Sequence, residues 1–199
     1  ANKCGEEARF DLTEFTMQGG KIAKVRANVN KATKAGVTVH EYRPLEKRDD
    51  AIEGAINAVS DDWLKGKNSG ELSFTLGGVG LDNPMDKRYF YAKNAEGKLV
   101  GFIVFVPFAG MDGYYADVTR RTEDAPRGVN EIIMVEAFQK FKEEGVHWAT
   151  MGMAPLANLS EEGKPESTTT RLLEFVYENL NEVYGFTELY SAKVKYNTF

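Results

Sequence analysis

The stretch Lys98-Leu-Val-Gly-Phe-Ile-Val-Phe-Val-Pro-Phe108 carries apolar side chains at nearly every position. Successive residues of a strand point to opposite faces, so a run that is apolar on both must be covered on both and belongs at the centre of a sheet. Arg88 to Lys93 and Tyr114 to Thr119 read as strands on either side of it, the first joined to it by the turn-forming tetrapeptide Asn94-Ala-Glu-Gly97. Arg127 to Glu144 then places Val129, Ile132, Ile133, Val135, Ala137 and Phe138 on an inward face and predicts a helix that Gly145 stops. Trp148 to Met153 is a further buried strand. A three-strand meander, a helix and a returning strand describe an α/β or α+β domain with a mixed sheet.

Working outward, Arg9 to Phe15 alternates as a strand, and Ile22, Val25, Val29 and Ala32 recur at helical spacing from Lys21 to Ala35, with Gly36 in the place of a C-terminal cap. Val37 to Tyr42 alternates again. The polar, proline-containing stretch Pro44 to Asp50 marks a boundary between a short leading unit, residues 1–45, and a main domain, residues 46–199. Asp49 to Leu64 predicts a helix with Ile52, Ile56, Val59 and Trp63 on its core stripe. Residues 66–84 read as a Gly- and Asn-rich loop with a short extended piece, and Thr168 to Leu180 as a helix. The 199 residues contain no internal repeat.

Apolar residues make up 42% of the chain and charged residues 28%, a globular composition that sets aside disordered and collagen-like classes. The longest apolar run is interrupted by Gly101, Pro107 and Gly110 and is too short to cross a bilayer. No basic n-region and apolar h-region open the chain, so no signal peptide is expected in it, and the start at Ala1 leads us to expect sequence upstream. Cys4 is the only cysteine, which fits a reducing compartment. The net charge is −5, yet eight cations between Gly20 and Arg48 (Lys21, Lys24, Arg26, Lys31, Lys34, Arg43, Lys47, Arg48) face only Glu41 and Glu46. Such a segment is either a solvated helix face or a phosphate-facing patch for tRNA or anionic lipid.

The sequence holds no GxSxG elbow, Walker loop, HExxH or paired CxxC, and no metal is expected. His40 and His147 read as structural or solvated, and Gly77, Gly78 and Gly80 lack the following helix that a phosphate cradle needs. Tyr115 to Gly128 is more informative. Asp117 and Arg120 stand three apart and face opposite ways in a regular strand, so they converge only if the strand bends or ends. A helix N-terminus at Arg127-Gly128 then offers a place for phosphate.

The order Asp117-x-x-Arg120, Asp124-Ala-Pro-x-Gly128, the helix from Val129, and Met151-Gly-Met-Ala-Pro-Leu156 resembles the C-terminal catalytic domain of the lysylphosphatidylglycerol synthases, or multiple peptide resistance factors. The similarity extends to Asp62-Trp63-Leu64, Phe74-Thr-Leu-Gly77, Arg26-Ala-Asn-Val-Asn-Lys31 and Lys193-Val-Lys195-Tyr, and so covers most of the chain. The sequence departs from common members in Glu161 to Thr170 and in Tyr114-Tyr115-Ala116.

The resemblance implies a GNAT-like acyltransferase fold, the second unit of a tandem pair, with residues 1–45 as the tail of the first. It implies transfer of an aminoacyl group, lysyl first, from aminoacyl-tRNA to phosphatidylglycerol at the cytoplasmic face of a bacterial membrane. The membrane region itself would lie outside this chain. Asp117, Arg120 and Lys193 match positions required for activity in the family. Arg127, Gly128 and Lys195 are the candidate substrate-binding residues, and Lys24, Arg26, Lys31 and Lys34 the candidates for tRNA or lipid phosphate. An aminoacyl ester is already activated, so positioning, proton withdrawal and oxyanion stabilisation suffice, and no cofactor is expected. Two alternatives stand beside it. A CoA-dependent N-acyltransferase would need a glycine-rich pyrophosphate turn where Arg121 to Val129 supplies Gly128 alone, and a non-catalytic tRNA- or membrane-binding module would tolerate loss of Asp117.

Overall fold

The computed structural model describes residues 5–65, 78–108, 110–155 and 191–196. The element order is β1 (Gly5–Asp11), α1 (Ala23–Lys34), β2 (Thr38–Tyr42), α2 (Asp50–Lys65), β3 (Arg88–Lys93), β4 (Leu99–Pro107), β5 (Gly113–Arg121), α3 (Val129–Glu143) and β6 (Trp148–Pro155). The strands form one six-stranded sheet in the order β1-β6-β5-β4-β3-β2. Every neighbouring pair is antiparallel except β5–β6, which is parallel and connected through α3. This is the mixed sheet expected from the sequence. The expected extended piece within residues 66–77 and the helix from Thr168 to Leu180 lie outside the described residues.

The double-sided burial of β4 follows from its sequence. Ile103 and Phe105 join a core with α1 and α3, whereas Phe102 and Val104 join a second core with Ile56 and Val59 of α2. The sheet is therefore the middle of three layers. Phe105 is fully buried and meets Phe90, Phe138 and Phe141 edge-on at centroid distances of 5.5, 6.5 and 5.1 Å. Burying one such side chain contributes about 1.5–3 kcal/mol, which makes this cluster the anchor between sheet and α3.

Local chemistry sets the element ends. The first strand ends at Asp11 rather than running on to Phe15, because the Asp11 carboxylate accepts hydrogen bonds from Thr13 N at 2.9 Å and Thr13 Oγ1 at 2.6 Å. That local turn competes with further pairing. Helices α1 and α3 both close with paired bonds of the Schellman type, Gly36 N to Thr33 O with Val37 N to Ala32 O, and Gly145 N to Lys142 O with Val146 N to Phe141 O.

The leading segment shares this sheet: β1 pairs with β6 at one edge and β2 with β3 at the other. Buried Arg88 ties β2 and α3 together through Glu41 Oε1 at 2.7 Å and Glu144 Oε2 at 2.5 Å, with its guanidinium 4.7 Å from the Phe141 ring centroid. Burial lowers the Arg88 pKa, and the two carboxylates more than reverse that, so the cation stays charged inside the fold.

Candidate active site

The site lies where the parallel pair comes apart. β5 and β6 pair only from Gly113 with Trp148 to Tyr115 with Thr150 and then separate. Each strand carries an irregularity just beyond the last pair. Along β5, Val118 pairs with Val104 and Ala116 with Phe105, which leaves Asp117 as an extra residue, a β-bulge. Its effect on side-chain direction is visible in the cores. Ala116 and Val118, two apart, belong to opposite layers, whereas residues two apart in a regular strand share a face. The bulge takes up one step of the alternation. Asp117 and Arg120 both line one cavity of about 370 Å³, as do the β5 residues around them.

In β6 the register against β1 shifts between Glu7 and Arg9, and Gly152 stands in this irregular stretch with φ of +75°. A Cβ at Gly152 would lie 2.5 Å from Cε2 of Tyr115, so the glycine both takes the left-handed backbone and lets the Tyr115 ring seat against it. Trp63 of α2 lines the cavity from one layer, and Asn130 and Met134 of α3 line it from the other.

Arg120 is buried and is held from behind by α2. Its Nη1 donates to Ser60 Oγ, and its guanidinium carbon is 5.2 Å from the Trp63 ring centroid. Burial pushes the Arg120 pKa down, opposed by the nearby carboxylates Asp61 and Asp117, and an arginine so placed remains a cation. Asp117 is exposed on β5.

Lys193 reaches the cavity from a helical turn at residues 191–194 and is buried. Its Nζ donates to the carbonyls of Gly152 at 3.0 Å and Met153 at 2.7 Å. Burial pushes the ammonium down to about 8, against the opposing field of Glu7. Asp117, Arg120 and Lys193 thus line one cavity despite their separation in sequence.

The other candidates are placed differently. Lys195 lines the cavity, but its Nζ is ion-paired with Glu131 Oε1 at 2.7 Å, and Asn28 Nδ2 donates to the same oxygen at 2.9 Å. Burial raises the Glu131 pKa, and the Lys195 and Asn28 hydrogen bonds outweigh it, so this carboxylate is held below its ordinary value. Lys195 therefore ties the C-terminal segment to α3 and α1. Arg127 is exposed at the start of α3 and lines a neighbouring cavity with Gly128. A Cβ at Gly128 would stand 2.1 Å from the Asn28 carbonyl oxygen, so this glycine is there for close approach of α3 to α1. Lys24, Lys31 and Lys34 are exposed on α1, whereas Arg26 is half-buried and donates to the carbonyls of Met17 at 2.7 Å and Gly19 at 3.0 Å. None of these four lines the cavity.

The sequence reading overlooked Ser60, and it assigned Trp63 to the core stripe of α2, where the structure sets it over Arg120. It also gave no role to Thr150 or Glu7, and no pattern in the sequence marks them. Among the described residues no group of His, Cys, Asp and Glu is arranged to hold a metal ion, and no helix is long and apolar enough to cross a membrane.

Comparison with known proteins adds the lineage. The phosphatidylglycerol lysyltransferase of Bacillus subtilis (strain 168) is 34% identical over 194 residues, and that of Staphylococcus haemolyticus is 28% identical over 195. In each case the match takes in 98% of this chain but only 22% and 23% of the relative, so the chain spans less than a quarter of their length. The structure of L-PGS from Bacillus licheniformis superposes with a TM-score of 0.78 at 32% identity, covering 98% of this chain and 58% of that one. The family model of the C-terminal part of phosphatidylglycerol lysyltransferase matches residues 1–198, and the chain belongs to that family.

Proposed function

We propose that this domain transfers an aminoacyl group, lysyl first, from aminoacyl-tRNA to the glycerol hydroxyl of phosphatidylglycerol, within a larger protein at the cytoplasmic face of a bacterial membrane. The observation that carries this reading is the gathering of Asp117, Arg120 and Lys193 on one cavity at the fork of the sheet. Asp117 accepts the proton of the lipid hydroxyl, whose oxygen attacks the ester carbonyl carbon. The resulting oxyanion is stabilised by the Lys193 ammonium, and collapse breaks the ester bond to the tRNA ribose, whose oxygen takes the proton back from Asp117. Arg120, gripped by Ser60 and Trp63, orients Asp117 and keeps its charge balanced.

The expected product is a lysine ester of phosphatidylglycerol, which turns a headgroup of charge about −1 into one of about +1. Expression of the intact protein in a bacterium that lacks such an enzyme should yield this lipid by mass spectrometry. Absence of any aminoacylated lipid, with every aminoacyl-tRNA supplied, refutes the assignment.

The exposed lysines of α1 serve affinity in this scheme. Lys24 and Lys31 lie seven residues apart, close to two helical turns, and Lys34 falls within a turn of Lys31. Replacing all three with Gln should weaken binding to tRNA or to phosphatidylglycerol vesicles and reduce the slope of log K against log salt by about 2–3. An unchanged slope assigns them to a solvated face.

A further inference from the structure

Glu7 lies on the edge strand β1, outside every motif that marks the cavity. The structure nevertheless connects it to the buried lysine through a continuous polar path. Thr150 Oγ1 donates to Glu7 Oε1 at 2.9 Å, and the same hydroxyl oxygen accepts the backbone N–H of Gly152 at 2.9 Å. The Gly152 carbonyl in turn accepts from Lys193 Nζ at 3.0 Å. The path crosses β6 at its irregular stretch, where the register against β1 shifts and Gly152 takes φ of +75°.

We propose that Glu7 is a positioning residue for Lys193, acting across β6 through Thr150 and the carbonyl of Gly152. The Thr150 hydroxyl has a single proton and gives it to Glu7, which leaves its oxygen free to accept the Gly152 N–H. That bond fixes the bulged peptide and with it the carbonyls to which the ammonium is anchored.

The carboxylate also supplies charge. Among the described residues, the titratable groups around Lys193 are Glu7 from β1, itself paired with Arg9 at 2.7 Å, Tyr115, Asp117 and Arg120 from β5, and Lys195 and Tyr196 from its own segment, Lys195 being neutralised by Glu131 of α3. Glu7 is an anion that opposes the effect of burial on Lys193. Burial raises the Glu7 pKa, and the bond from Thr150 and the pairing with Arg9 outweigh it, so Glu7 stays ionised where Lys193 titrates.

Glu7→Gln keeps an acceptor for Thr150 and removes the charge; Thr150→Val keeps the charge and removes the relay. In the 199-residue chain, lysines dimethylated with 13C-formaldehyde give resonances whose pH titration is followed by NMR, with Lys193 assigned by its loss in Lys193→Arg. Glu7→Gln should move the Lys193 midpoint down by roughly half a unit or more. Thr150→Val should broaden or shift the Lys193 resonance as its anchoring carbonyls loosen. Unchanged Lys193 titration in both variants overturns the proposal.

Its catalytic consequence rests on the proposed transfer reaction. In the intact protein, the alkaline fall of kcat should move to lower pH in Glu7→Gln. A shifted NMR midpoint with an unmoved rate profile supports the positioning and refutes only the role given to Lys193 in transfer.

Discussion

Asp117→Asn should reduce formation of the aminoacylated lipid by about 10²–10⁴-fold, the contribution of a well-placed general base. The substitution conserves volume and the bulged backbone, so secondary structure and melting temperature should stay close to those of the parent protein. Asp117 is exposed on β5 rather than part of either core, which is why its loss has a chemical rather than a structural effect. Because an amide cannot take the hydroxyl proton, the loss should appear in kcat more than in KM. Single-turnover transfer from preloaded tRNA to phosphatidylglycerol in detergent micelles measures this directly. A variant that retains transfer within a factor of ten removes Asp117 from the chemistry.

Lys193→Met should lower kcat by about 10²–10³-fold, the effect of removing one donor from an oxyanion site. Met fills much of the same volume, so the turn at residues 191–194 should remain docked. The parent protein carries a second signature of the same group. Burial brings the Lys193 ammonium down to about 8. The charged form is the one that stabilises an oxyanion, so kcat should fall as pH rises through that value and be flat below it until other groups titrate. Lys193→Arg keeps a cation throughout this range and should show no such fall, whatever its absolute rate. An alkaline limb that persists in Lys193→Arg assigns the titration to another group.

The layers of this fold were legible in the sequence because they rest on short-range periodicity. The apolar run through Phe102 to Phe105 dictates coverage on both sides, and Arg88 to Lys93 is a strand with the bounds read for it from the sequence. The helix from Val129 and its stop at Gly145 depend on residues within a few positions of each other, and the structure places them there. Where the reading slipped, at the end of β1, a hydrogen bond between Asp11 and Thr13 competed with a pattern that would have carried the strand further.

The site divides differently. The sequence by itself supplied Asp117, Arg120 and Lys193 as chemical types and, through their order, a family. It also stated the condition under which the first two converge. It did not determine how that condition is met. Whether residue 117 pairs or bulges depends on its register with β4, a contact across the sheet. That Gly128 serves packing rather than phosphate depends on the approach of Asn28 from α1, 100 residues away in the chain. The links from Ser60 to Arg120, from Glu131 to Lys195 and from Glu7 toward Lys193 are likewise long-range. Local pattern decides which strands and helices form because propensity and alternation act between neighbours. Only the tertiary structure decides where a charged side chain ends, because burial and hydrogen bonding there are set by elements that meet only when the chain has folded.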